Sequence, residues 1–235
     1  MKHLIETTDL NSLGNAKYDR LILDSNKNEI IYKGGVYEYV DLGLSVKWAK
    51  CNVGATSETD YGDYFQWGST TPNTADECTW KNAPFNNGSG SYDYEYFDAH
   101  KSEWLDNNDN LKPEFDAATQ IMGGDWRMPT ETEIRELINN TTKEWITNFN
   151  GSDVNGMKFI SKADTTKYIF IPASGYRAAS SFYDRGRYGS VWSSSLYAVY
   201  PNLALDLYFF GPRCIGTGNY GSDRYLGFVV RGVME

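Results

Sequence analysis

The chain has 235 residues, 40% hydrophobic and 15% aromatic, enough to bury a real core in one sizeable domain or two small ones, which excludes wholesale disorder. Its 22 lysines and arginines against 31 aspartates and glutamates give a net charge of −9, which repels nucleic-acid phosphates and anionic membrane surfaces. Cys51, Cys78 and Cys214 are widely spaced with no CxxC and no histidine nearby, so neither a disulfide framework nor a zinc site is encoded; one disulfide, such as Cys51 with Cys78, plus a free thiol stays open.

No run approaches the roughly 18 consecutive apolar residues of a membrane helix, so no membrane insertion is expected. The opening MKHLIETTDL places Glu6 and Asp9 where a signal peptide needs its apolar run, and no secretory leader is expected in this chain. Residues 1–38 read as a hairpin or attachment segment, with Leu21-Ile22-Leu23 and Ile30-Ile31-Tyr32 flanking a turn-like Asp24 to Asn28. After Gly34-Gly35 the composition turns aromatic and Gly-rich, which sets a domain over 39–235. Between Gly68 and Leu111, Asn, Asp, Ser, Gly and Tyr dominate without periodicity, predicting long surface loops around a few short strands.

Pro113 to Met122 reads as a helix with Phe115, Ala118 and Met122 inward, ended by Gly123-Gly124. The clearest helix is Glu131 to Asn140: Thr130 and Glu133 form a capping-box pattern, and Ile134, Leu137 and Ile138 share one face. Strands are predicted over 143–149, over 157–161 after an Asn155-Gly156 turn, and over 168–172. Two helices, short antiparallel strands and long loops make an α+β domain, not a doubly wound sheet.

The last 68 residues hold 9 of the 18 tyrosines with 9 glycines and 8 serines, the composition of a paratope. Lysine is absent after Lys167, whereas arginine stands at 177, 185, 187, 213, 224 and 231; its planar fork suits interfaces. Against Asp184, Asp206, Asp223 and Glu235 this leaves the segment at +2 on a body of −11, which reads either as a face for an anionic ligand or as a solvated surface of arginines beside aspartates.

Gly123-Gly-Asp-Trp-Arg-Met-Pro-Thr-Glu-Thr-Glu133 resembles the WRxPTxxE signature of C-type-lectin-fold domains related to formylglycine-generating enzymes. Leu226-Gly-Phe-Val-Val-Arg231 is similar to the GFxVR closing strand of that fold. Pro172-Ala-Ser-Gly-Tyr-Arg177 and Val191-Trp-Ser-Ser-Ser195 resemble the PAxGYR and YWSSS motifs of Bacteroidetes domains of this class. Tyr39 to Ala49 with Cys51-Asn-Val-Gly-Ala55 fits their opening strand. The matches run in order over about residues 39–235, and the arrangement resembles the variable proteins of diversity-generating retroelements.

That resemblance implies a C-type lectin fold displaying altered side chains on one ligand-binding face. Gly175 to Arg177, Trp192 to Ser195, Leu205 to Leu207 and Gly227 to Arg231 fit its scaffold, and Trp126, Trp192 and Phe228 are expected in the core. Arg127 and Arg231 are expected to bond loop carbonyls, and Tyr176 to belong to the scaffold. The display positions are Arg185, Arg187, Tyr188, Val191, Leu196, Tyr197, Val199, Tyr200, Asn202, Tyr208, Phe210, Ile215, Asn219, Tyr220, Ser222, Asp223, Arg224 and Tyr225. The partner is expected to be a cell-surface protein or glycan, met on a virion surface or extracellularly, with a homo-oligomer on a phage particle as one arrangement. A receptor-binding phage tail protein leads; a fixed-specificity bacterial adhesin of the same fold is the alternative.

Relatives of this fold include an oxidase working through paired cysteines near its C-terminus, and a degenerate enzyme of that kind is the third reading. Here only Cys214 stands in that region, and the histidines, His3 and His100, lie far off. The sugar-binding triplets of calcium-dependent lectins are absent, and Asp106 to Asn110 reads as a polar turn. No catalytic residue, cofactor or metal is expected.

Overall fold

The computed structural model describes residues 2–5, 18–24, 29–35, 37–73, 77–212, 214–217 and 221–235, with side chains from residue 37 onward except Cys214. Strands β1 (Lys2–Ile5), β2 (Tyr18–Asp24) and β3 (Glu29–Gly35) form an antiparallel sheet in that order. The β2–β3 hairpin pairs Leu23 with Ile30 and Leu21 with Tyr32, the two apolar pieces expected to flank a turn. Next come β4 (Tyr39–Val40), β5 (Lys47–Ala49), β6 (Tyr64–Phe65), helices α1 (Tyr94–Trp104), α2 (Ala117–Met122) and α3 (Glu131–Asn140), then β7 (Thr141–Ile146), β8 (Gly156–Ser161) and β9 (Tyr168–Pro172). The chain closes with β10 (Tyr176–Ala178), β11 (Ser181–Tyr183), β12 (Tyr188–Leu196), β13 (Leu203–Phe210), β14 (Cys214–Thr217), β15 (Ser222–Asp223), β16 (Phe228–Val229) and β17 (Val233–Met234). The class is α+β, with three α-helices among the described residues where two were expected.

The unexpected helix is α1, inside the stretch read as surface loops. Asp93 caps it by accepting from the Tyr96 amide at 2.9 Å, and Phe97 and Trp104 are buried. Two buried positions give too thin an apolar stripe to register as a period. The helix expected over 113–122 is broken instead. Pro113–Phe115 is a 3-10 turn, and Asp116 leaves helical geometry to cap α2 at Thr119.

Helix α3 has the expected ends, because its cap is local chemistry: Thr130 Oγ1 accepts from the Glu133 amide at 3.3 Å, and Glu133 Oε2 accepts from the Thr130 amide at 2.8 Å. Arg127 then clamps both Glu133 oxygens at 2.6 and 2.8 Å, so its chief partner is a carboxylate rather than the expected carbonyl. Thr130→Ala is expected to lower stability by about 1 kcal/mol, read as a shifted urea midpoint at constant slope. An unchanged midpoint would mean that the Arg127 clamp alone fixes this end.

Strands β7, β8 and β9 pair antiparallel in sequence, but Gly156 opens β8 and does not close a turn. A Cβ there would lie 2.3 Å from the Ile171 carbonyl, so glycine permits close strand approach. Asn148, at φ 55°, and the 3-10 turn Phe149–Gly151 make the connection, fastened by Asn155 Oδ1 accepting from the Asn148 amide.

The central sheet runs β14-β13-β12-β16-β6, with β15 joined to β13. Alternate residues enter two cores. Val191, Leu207, Phe209 and Val229 meet Ile134 and Leu137 of α3 and the β7–β9 sheet; Trp192, Ala204, Phe228 and Phe65 meet Phe97, Trp104 and α2. Burial on both faces removes the polar–apolar alternation of a half-exposed strand, so β12 is buried from Gly189 through Leu196. Trp192 Nε1 donates to the Phe65 carbonyl at 2.8 Å and Trp67 Nε1 to the Ser193 carbonyl at 2.9 Å, satisfying both buried indoles. Trp126, Trp192 and Phe228 are core residues, as expected. Finally β17 pairs with β5, Val233 opposite Trp48, bringing the two ends of the 39–235 region together.

Candidate functional site

The chain leaves β9 through Gly175, whose φ of 64° brings it against the next hairpin; a Cβ there would lie 2.0 Å from the Tyr183 carbonyl. The β10–β11 hairpin pairs Tyr176 with Tyr183 and Arg177 with Phe182. The Tyr176 and Tyr183 rings stack at 5.1 Å, and Tyr176 meets Tyr188 edge-on at 6.1 Å. Tyr188 lies opposite Phe210 across β12 and β13, their rings 6.5 Å apart. Burial and the nearby Asp206 carboxylate hold the Tyr188 phenol above its ordinary range.

Cations lie on these rings. The Arg185 guanidinium is 3.5 Å and that of Arg177 4.6 Å from the Phe182 centroid, while Arg187 is 5.2 Å from Phe210. Arg185 Nε donates to Tyr64 Oη at 3.1 Å, and that hydroxyl donates to the Ser174 carbonyl at 2.6 Å, anchoring the side chain by one edge. The result is an aromatic and arginine surface that wraps both faces of the hairpin, with Phe182 on one and Tyr183 and Phe210 on the other, each over 40% exposed.

A second surface lies at the other end of the same strands, about 26 Å away at roughly 3.3 Å per residue. Tyr197 and Tyr200 pack at 5.9 Å in the β12–β13 turn, with Val199, Tyr200 and Tyr94 of α1 well exposed. The cavity beneath, between Phe97, Lys101, Leu196 and Pro201, measures about 100 Å³, room for a few waters. Asn202 donates to Asp223 Oδ1 at 3.2 Å, tying this turn to β15.

Between the two surfaces the sheet is closed. Asp206 is buried on β13, held by Ser190 Oγ at 2.5 Å and Ser222 Oγ at 3.2 Å, with no cation in ion-pair range among the described residues. Burial pushes its carboxyl up to about 6, opposed by those two hydroxyls.

The display positions therefore divide. Arg185, Arg187, Tyr188, Tyr208 and Phe210 belong to the first surface; Tyr197, Val199, Tyr200, Asn202, Ser222 and Asp223 gather near the second. Val191, Leu196 and Arg224 are buried and are corrected to core. Ile215 faces away, packed on the α3 side through its pairing with Phe209. Tyr225 is half-buried against Trp80 at 5.2 Å, and Asn219 and Tyr220 lie outside the described residues.

Arg224 is the clearest reversal. Its guanidinium sits 4.3 Å from the Phe97 centroid and 5.4 to 5.8 Å from Tyr92, Trp67 and Trp80, donating to the carbonyls of Pro201 and Pro84. Burial pulls it down to about 10.

Residues missed were Phe182 and Tyr183, and Tyr176, which was assigned to the scaffold. Adjacent strand residues point to opposite faces, so two exposed neighbours mean a strand with no core side. The signal was Ser180-Ser181-Phe182-Tyr183-Asp184, aromatic residues with no apolar neighbours.

Cys51 and Cys78 are free thiols; burial raises both, Cys78 to about 11, which leaves it a poor nucleophile. Among the described residues no three His, Cys, Asp or Glu side chains gather as metal ligands, and no helix is long and apolar enough to cross a membrane. Asp106 Oδ1 accepts from the Asn108 and Asn110 amides, which makes the acidic loop a polar turn. No protein-family model, curated protein or solved structure matches the chain.

Proposed function

We propose that the chain is a non-enzymatic ligand-binding protein of the C-type-lectin type, a variable protein of a diversity-generating retroelement that meets its receptor at a virion or cell surface. The carrying observation is the exposed aromatic and arginine side chains on both faces of the β10–β11 hairpin, Phe182 with Arg185 on one and Tyr176, Tyr183, Tyr188, Phe210 and Arg187 on the other, beside a sheet buried on both faces. Rigid aromatic anchors beside adaptable polar groups are the makings of a paratope, and a two-sided core beneath tolerates replacement of the side chains above it. The pairing of β17 with β5 and the capped WRMPTETE helix support the lectin-type reading.

The deciding experiment is sequencing of the DNA flanking this gene in several isolates. A reverse-transcriptase gene with a near-copy of the 3′ end differing at adenines is expected. Neither feature, with 185–225 invariant among isolates, would leave a fixed-specificity adhesin.

The division between displayed and buried side chains is testable without a ligand. Tyr200→Ala is expected to change unfolding free energy by less than about 0.5 kcal/mol, and Trp192→Ala to cost about 3 to 5 kcal/mol. The reverse order in urea denaturation would overturn the assignment.

A further inference from the structure

We infer that the surface around Phe182 and Phe210 binds an acidic protein segment in which carboxylates stand beside apolar side chains; this rests on the binding role proposed above. Two guanidiniums, those of Arg177 and Arg185, share the Phe182 ring on one face of the hairpin, and a third, Arg187, lies over Phe210 on the side of Tyr176 and Tyr183, in a chain whose net charge is −9. None of the ion pairs within 4 Å among the described residues includes any of them. Asp184 shares their turn yet reaches none of the three at that distance. Arg177 has a buried Nε without a hydrogen-bond partner while its Nη1 donates to the Asn73 carbonyl at 2.6 Å. Arg177 and Arg185 on one ring, with no counter-charge within 4 Å among the described residues, are arranged to receive an anion.

The rings define what kind of anion. Arg185 is spread over Phe182, with Tyr61 and Tyr64 at 5.2 Å, and bonded through Nε to Tyr64, while its two terminal nitrogens make no hydrogen bond among the described residues. Terminal N–H pairs in one plane match the two oxygens of a carboxylate. Arg187 repeats the pairing over Phe210.

Phe182 and Phe210, 41% and 42% exposed, have no polar atom to offer a sugar hydroxyl. The Tyr176 and Tyr183 rings stack on each other, which occupies faces a pyranose ring would need. Hydrocarbon edges beside charged forks suit an Asp or Glu flanked by Leu, Ile, Phe or Trp, and so favour protein over polysaccharide.

The test is selection of a displayed random peptide library on the immobilised full chain, with soluble hyaluronan as an acidic-glycan probe in parallel. Enriched peptides are expected to place Asp or Glu next to apolar residues. Their affinity, by fluorescence anisotropy, is expected to fall at least tenfold in Arg185→Gln/Arg187→Gln and on changing the peptide Glu to Gln. Arg185→Lys/Arg187→Lys, which keeps charge and loses the fork, is expected to show an intermediate loss and controls for folding.

Neutral enriched peptides, affinity unchanged in the Gln variant, or no enrichment would overturn the inference, as would arginine-dependent binding of hyaluronan without peptides. The retroelement role is judged separately by the flanking DNA, so the two can fail independently.

Discussion

Arg231→Met is expected to destabilise the protein by about 3 to 5 kcal/mol, although the two side chains have similar length. Arg231 is fully buried with no carboxylate in ion-pair range among the described residues. Its Nε donates to Asn52 Oδ1 at 2.8 Å, Nη1 to the Ala49 and Lys50 carbonyls at 3.0 and 2.5 Å, and Nη2 to the Phe170 carbonyl at 3.0 Å. One planar group thus ties the closing segment to β5, the loop after it and β9, satisfying carbonyls that these segments bring inside. Methionine fills the stem and leaves four acceptors without donors, each costing about 1 to 3 kcal/mol before relaxation and water entry.

Burial already pulls the guanidinium down to about 10, a sign that solvation is poor and the hydrogen bonds carry the charge. Arg231→Lys is expected to lose most of the same stability, because one ammonium cannot span three segments. A loss below 1 kcal/mol for Met in urea denaturation would show that the carbonyls find other donors.

Asp206→Asn is expected to stabilise the protein by about 3 kcal/mol at pH 8 and to have little effect at pH 4. The folded state holds this carboxyl near 6, above the 3.8 of a free aspartate. Its contribution is therefore fully present below about pH 4 and lost as pH rises through 6. Two pK units at 1.36 kcal/mol each set the magnitude. Asparagine keeps both serine contacts: Ser190 donates to Oδ1, and Ser222 turns its hydroxyl to accept from Nδ2.

Unfolding free energies of wild type and variant at pH 4, 5, 6, 7 and 8 check this. Parallel pH profiles would show that Asp206 titrates normally and that the pocket admits water.

What sequence makes legible follows the range of the forces involved. The ends of α3 were readable because Thr130, Glu133 and the first turn lie within four residues of each other. The hairpin of β2 and β3 and the strand at 168–172 were readable for the same reason, apolar runs bounded by turn residues. Helix α1 was not. Its Asp93 cap is local, but its buried face holds only Phe97 and Trp104 beside the half-buried Tyr96 and His100, and Trp104 stacks on Phe85, which arrives from elsewhere in the chain.

The arginines draw the line most sharply. Arg177, Arg185, Arg224 and Arg231 sit in similar Gly- and Tyr-rich surroundings in sequence. Arg177 and Arg185 lie on Phe182 of an exposed hairpin, Arg224 is caged by Trp67, Trp80, Tyr92 and Phe97, and Arg231 pins segments from both ends of the domain.

By itself the sequence determined an α+β chain, its best-capped helix, its aromatic core residues and a C-terminal segment rich in tyrosine, glycine, serine and arginine. Only the tertiary structure decided which of those side chains face outward. Exposure depends on what the distant stretch from Trp80 to Trp104 lays over β12 and β13, and no short-range pattern encodes that contact.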